Sequence, residues 1–235
     1  MAWVEDALGE AVGKAYVAKH FSGDAKPKAL EVVAQVRAAL EARLGEVAWM
    51  SAPTRERALQ KMRGFGVKIG YPDKWVDYAP LEVRPGDHLG NVLRARAFEH
   101  RRAMAYADAP TDRSRWYMPP QQINAYYHPN LNEICFPAAI LQPPFFDPEA
   151  DAAVNFGAMG AVVGHEMTHA FDDQGRQFDV NGNLHDWWEP ADGEEYTRRV
   201  QVQVAQANAF TVEGKALNGK LCCGENIADL GGLKL

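Results

Sequence analysis

The chain has no run of about 18 apolar residues, so no segment reads as a membrane-spanning helix. Excess positive charge is missing too. The 25 Lys and Arg residues are outnumbered by 31 Asp and Glu, a formal net charge of −6. That leaves no electrostatic footprint for nucleic acid or an anionic membrane surface, and no nucleic-acid partner is expected. Cysteine is scarce: Cys135, Cys222 and Cys223 make an odd set, and the adjacent pair does not suit disulfide geometry. They read as free thiols in a chain that does not depend on disulfides. The opening MAWVEDALGEAVGKAY lacks the basic and apolar regions of a signal peptide. Internal repeats and low-complexity tracts are absent as well. What remains is an ordinary globular composition, 47% hydrophobic and 24% charged over 235 residues, enough for one large domain or one domain plus part of another.

Residues 1 to about 68 read as helical. Val32, Val33, Val36, Leu40, Leu44 and Val47 recur at helical spacing, and a second amphipathic helix is predicted from Thr54 to Gly64. Residues 71–85 are rich in Pro, aromatics and Asp, an irregular connection with a short strand at Leu81–Val83. Residues 88–107 read as a helix with Leu89, Val92, Leu93, Ala97 and Met104 on its apolar side. Two short β-like runs, Gln122–Tyr127 and Glu133–Phe136, flank the turn HPNLN. Asp147-Pro148 looks like a cap followed by Pro at the first helical position. The helix after it carries Phe156, Met159, Val162 and Val163 and ends near Asp172. A turn at Asn181-Gly182 and a polar-faced helix over 191–210 follow.

The central helix contains VVGHEMTHAFDD. His165 and His169 stand four apart, so both imidazoles project from one face, with Cβ atoms about 5–6 Å apart. Two neutral imidazoles at that spacing can hold one Zn²⁺. Glu166, one residue round, can reach a metal-bound water without ligating the metal. This is the H-E-x-x-H arrangement of metalloproteases. The bland alternative is an accidental meeting of two histidines and a solvated Glu. On an otherwise buried, Gly- and Val-rich helix, two unligated histidines would be costly polar groups.

Catalytic zinc normally takes three protein ligands. A third His in the extended H-E-x-x-H-x-x-G-x-x-H pattern is excluded, because Asp172 and Gly175 occupy the Gly and His positions. Acids or thiolates from a second segment remain, and the segment CCGENIADLGG offers them. Glu225, with Asp229 one helical turn later, would supply a ligand and a carboxylate behind a ligand. A ligating imidazole needs its other N–H held by an acceptor. Asp229 suits that role for His165, and Asp172 can serve elsewhere around the metal. Alternatively both acids simply decorate a helix N-terminus.

NAYY, EICFPAAILQPPFF, VVGHEMTHAFDDQG, DWW and GENIADLGG, in this order, resemble the neprilysin and endothelin-converting-enzyme family of zinc endopeptidases. AVGKAYVAKHF, WMSAPTRERAL and IGYPDKW extend the resemblance over essentially the whole chain. It implies an α+β, mostly helical fold: a thermolysin-like catalytic domain over 71–235, preceded at 1–70 by a helical segment of, or leading from, a cover domain. It implies one Zn²⁺ per chain held by His165, His169 and Glu225, with Glu166 as general base and Asp229 orienting His165. It further implies that Asn124 and Ala125 form an edge strand pairing with the substrate backbone. Phe145, Ala161 and Val162 would line a pocket for an apolar side chain just after the scissile bond. The partners implied are peptides, and the compartment is extracellular, periplasmic or membrane-anchored.

The chain also departs from the family. Members are longer at both ends, and a downstream His that stabilises the oxyanion and an Arg that binds the substrate carboxylate have no counterpart here. The sequence therefore reads as a fragment. Cys222 and Cys223 stand where members commonly carry other residues, and as soft ligands they would compete for zinc beside Glu225. Three readings stay open: a zinc endopeptidase, a zinc- and peptide-binding remnant with little turnover, and a structural or interaction module without metal.

Overall fold

The computed structural model describes residues 2–21 and 23–235. The first third is helical: α1 (Ala2–His20), α2 (Ala25–Glu46) and α3 (Ala52–Arg63). Ala25, Ala29, Val32, Val33, Val36, Leu40 and Leu44 form one buried stripe along α2, as the apolar spacing predicts. Pro53 lies in the first turn of α3, where its missing N–H is harmless, and Gly64 ends the helix.

The helical reading of residues up to 68 is corrected at β1 (Gly66–Gly70). Gly64 ends the helix, and the β-branched Val67 and Ile69 then continue as a strand. β1 pairs in parallel with β3 (Glu133–Pro137), which pairs antiparallel with β2 (Tyr126–His128), giving the order β1-β3-β2. The central β3 is buried along its whole length. β2 lies at the edge and is shorter than the expected run from Gln122. Asn124 and Ala125 precede it without pairing to β3.

The expected strand at Leu81–Val83 does not form; the segment is irregular. Pro80 and Pro85 flank it, and neither can donate to a ladder. α4 (His88–Ala105) forms, capped by Asp87, which accepts the Gly90 N–H at 3.0 Å. Its buried residues are Ala95 and Phe98, whereas Leu89, Leu93 and Met104 are exposed. The inward face is fixed by Phe98 packing on Tyr78 rather than by the longer apolar stripe.

The long central helix starts later than Asp147-Pro148 implied. Asp151 caps α5 (Ala152–Asn155) by accepting the Ala153 N–H. A π-helical turn over Phe156–Gly160 leads into α6 (Ala161–Thr168), and a 3₁₀ turn over His169–Phe171 ends it. α7 (Pro190–Asn208), the small hairpin of β4 (Thr211–Val212) and β5 (Lys215–Ala216), and α8 (Cys223–Lys234) complete the chain. One core joins α2, α3, β3 and α6 through Val36, Met62, Ile134, Phe136, Val163 and Met167. No helix among the described residues is long and apolar enough to cross a membrane.

Candidate metal centre

α6 and α8 approach each other through glycines. A Cβ on Gly164 would stand 2.9 Å from the Gly232 Cα, and one on Gly232 would fall well inside contact distance of the Ala161 carbonyl oxygen. With no side chains between them the backbones meet directly. Glu225 and Asp229, two turns and one turn before this crossing, therefore face the histidines of α6. The GG of GENIADLGG was the signal for this approach, and its packing role was not read from the sequence.

Both imidazoles are held from behind. His165 Nδ1 lies 2.8 Å from Asp229 Oδ1, and His169 Nδ1 lies 2.7 Å from Asp172 Oδ2. Ionised carboxylates only accept, so each Nδ1 carries the proton and each Nε2 presents a lone pair. The two Nε2 atoms lie 2.9 Å apart, and Glu225 Oε2 lies 3.4 and 3.7 Å from them. A circle through these three atoms has a radius of ~2 Å, the length of a zinc–imidazole or zinc–carboxylate bond. Three electron-rich atoms so placed repel one another unless a cation lies between them, and the donor set fits a divalent metal.

Without metal, a proton relieves part of that repulsion. Burial opposes charging of His169. The hydrogen bond and charge of Asp172, with Glu166 and Glu225, outweigh it and raise its pKa. Glu166 is 6% exposed. Burial lifts its pKa above the usual carboxylate value, against the nearby histidines and a backbone hydrogen bond from Tyr127. Its carboxylate also lies within 4.8 Å of donor atoms on both histidines, and no other such His/Cys/Asp/Glu cluster occurs among the described residues.

Asp172 does more than face His169. Its Oδ1 accepts the backbone N–H groups of Gln174 and Gly175, at 2.9 and 2.6 Å, closing a tight turn after the helix. Gly175 presses on the His169 carbonyl so closely that no Cβ fits. The position that would bear a third His in the extended motif thus cannot carry a side chain at all.

The histidines, Glu166 and Glu225 line a cavity of about 450 Å³ together with Asn124, Ala125, Tyr126 and Tyr127. The free side of the sheet edge thus opens next to the donor cluster. Asn124 is exposed and Ala125 buried. Phe145, Ala161 and Val162 do not line this cavity: Phe145 is 36% exposed, and Val162 packs against the core. Cys222 and Cys223 are free and outside the donor cluster. Burial, then Asp173 and Asp172, pushes the Cys223 thiol up to about 11, which disfavours the thiolate a metal needs. A larger cavity of about 530 Å³, lined by Trp75, Phe98, Arg101 and Arg115, includes the acids Glu10, Asp77 and Asp112, but they do not converge as a donor cluster.

Sequence reasoning also missed Lys61. It stands three residues after Ala58 and beside Met62 on the buried face of α3, and that placement was the signal. Burial pulls its pKa down to about 7, against the charges of Asp172 and Asp179.

Sequence models described as peptidase family M13 match residues 1–72 and 124–235. The chain belongs to peptidase family M13. An M13 relative, the endothelin-converting enzyme homolog of Locusta migratoria, is 42% identical over 234 residues, covering 97% of this chain and 32% of its own. Neprilysin-3 of Drosophila melanogaster is 40% identical over 234 residues, covering 97% of this chain and 30% of its own. The crystal structure of Mycobacterium tuberculosis zinc metalloprotease Zmp1 with an inhibitor superposes with a TM-score of 0.93 at 47% identity. That match covers 98% of this M13 chain and 36% of Zmp1. The chain thus spans about a third of the length of these relatives. Its fold is α+β, mostly helical and thermolysin-like, as the resemblance implied.

Proposed function

We propose that this chain carries the metal site and general base of a zinc endopeptidase that hydrolyses oligopeptides, preferring an apolar residue after the scissile bond. The observation that carries this reading is the convergence of His165 Nε2, His169 Nε2 and Glu225 Oε2, with both Nδ1 atoms committed to carboxylates. His165, His169 and Glu225 would hold one Zn²⁺, and Asp229 and Asp172 keep the imidazoles turned toward it. Zinc, when bound, supplies Lewis acidity toward the scissile carbonyl and the attacking water. Glu166, buried beside both histidines, would take a proton from that water and return it to the leaving amine. The substrate backbone adds to the sheet edge at Asn124 and Ala125. Phe145, Ala161 and Val162 belong to the apolar subsite in this reading. Residues 1–70 belong to or lead from the cover domain, and 71–235 form the catalytic part. By analogy with the relatives, the setting is extracellular, periplasmic or membrane-anchored.

A second reading is a zinc- and peptide-binding remnant with little turnover. Elemental analysis and hydrolysis of a quenched peptide decide between the two. One equivalent of zinc with chelator-sensitive cleavage, lost in Glu166→Gln, supports the enzyme. One equivalent of zinc with no cleavage above that variant supports the remnant, and a chain that binds no zinc sinks both.

A further inference from the structure

Lys61 lies on α3, far from the histidines in sequence, yet its side chain is 1% exposed. Its Nζ donates to the carbonyl oxygens of Ala170 at 2.8 Å, Gly175 at 2.7 Å and Phe178 at 2.6 Å. The rings of Tyr127, Phe171 and Trp187 surround the ammonium at 5.9, 5.7 and 5.8 Å. All three N–H bonds of a lysine ammonium are therefore used, and by carbonyls that lie at and beyond the end of the histidine helix. Carbonyls at a helix C-terminus lack intrahelical donors and carry the negative end of its dipole, so a cation there is favourable.

Two of the gripped carbonyls bracket Asp172. Ala170 precedes it by two residues, and Gly175 follows it by three while also donating its own N–H to Asp172 Oδ1. The other carboxylate oxygen of Asp172 faces His169 Nδ1. A connected path of hydrogen bonds thus runs from Lys61 through the 170–175 turn to the carboxylate that sets the tautomer of one metal-facing imidazole.

We propose that Lys61 is a positioning residue for the metal centre. It clamps the turn that carries Asp172 and thereby fixes the orientation and tautomer of His169. This inference rests on the zinc reading of the site. A lysine that merely ties α3 to the core would support the fold equally well and leave metal binding untouched, and the two roles separate experimentally.

Lys61→Met keeps most of the side-chain volume and removes all three donors. In the 235-residue chain, zinc affinity is measured by competition with a chelator of known strength, and the metal-free thermal midpoint is measured alongside. Long-range ¹H–¹⁵N spectra of the metal-free protein report the His169 tautomer. The expected result is a loss in zinc affinity of about 10–100-fold, the range for removing a group that orients a ligand, with loss of the single Nδ1–H pattern of His169. A folded Lys61→Met with unchanged zinc affinity, whatever its thermal midpoint, overturns the proposal. Wild-type protein that binds no zinc instead overturns the zinc reading on which it rests. If Lys61→Met does not fold, the wild-type chain decides through reciprocity: what tightens the metal site must be tightened by the metal. Exchange of the Lys61 ammonium protons, followed in ¹⁵N-lysine-labelled protein, is then slower with zinc than without. Equal exchange in the two states refutes the clamp.

Discussion

Replacing Gly232 by Ala tests the crossing on which the metal centre depends. A Cβ at this position would lie 3.0 Å from the His165 nitrogen and much closer still to the Ala161 carbonyl oxygen, both backbone atoms of α6. Backbone cannot swing aside, so α8 must retreat from α6 by roughly 1 Å to restore normal packing. Overpacking of this kind costs about 1–3 kcal/mol. Helix propensity acts the other way, since Ala is favoured over Gly by up to about 1 kcal/mol in a helix. Gly45→Ala isolates that second term, because Gly45 lies in the last turn of α2 and its Cβ would meet nothing within 4 Å. The two variants should therefore differ by about 1–3 kcal/mol in denaturant unfolding of the metal-free chain, with Gly45→Ala the more stable. The retreat also draws Glu225 from its 3.4 and 3.7 Å spacing to the imidazoles, so Gly232→Ala alone loses zinc affinity in chelator competition. A Gly232→Ala protein as stable as Gly45→Ala, binding zinc as tightly as the parent, would refute the claim that glycine contact sets this geometry.

The two carboxylates behind the imidazoles separate in a paired experiment. Asp229→Ala, on an exposed side chain with His165 as its partner, should weaken zinc binding about 10–100-fold with little change in the metal-free melting temperature. Asp172→Ala should lower both, because its carboxylate also closes the 172–175 turn. Glu166 gives the pH dependence. Its folded pKa is raised, so the protonated form favours the folded state, and that stability is lost as pH rises through the raised value. Unfolding of the metal-free chain between pH 4 and 8 should show this loss together with that from His169, whose pKa is also raised, and Glu166→Gln should reduce it while leaving the His169 share. Finally, zinc at about 100 times its Kd should add about 2.7 kcal/mol of stability, a rise of roughly 5–10 °C in Tm that a chelator reverses.

The chemistry of this chain was legible in its sequence because the central donors are local. His165 and Glu166 on α6 and His169 in the 3₁₀ turn that continues it lie within five residues, and helical periodicity alone places both imidazoles on one face. The acids at 225 and 229 were legible as a pair for the same reason, and so were the stripes of α2 and α3. β1 was passed over because a five-residue strand beside a helix presents too few residues for a distinct period, and it is defined by its pairing with β3. The inward face of α4 went astray because either apolar stripe could be buried, and Tyr78 receives Phe98 rather than Leu93.

The sequence alone thus determined which atoms can ligate and which acid can act as base, since those properties follow from side-chain chemistry and short-range helical geometry. Only the tertiary structure decided that Glu225 meets the histidines, because that depends on glycines from distant segments letting two helices touch. It also decided that Asp172 turns back on His169 and that Lys61 holds the turn, since a lysine's partners 109 to 117 residues away leave no trace in local pattern. Burial, which raises the pKa of Glu166 and sets the free edge of β2 beside it, exists only once those segments have packed.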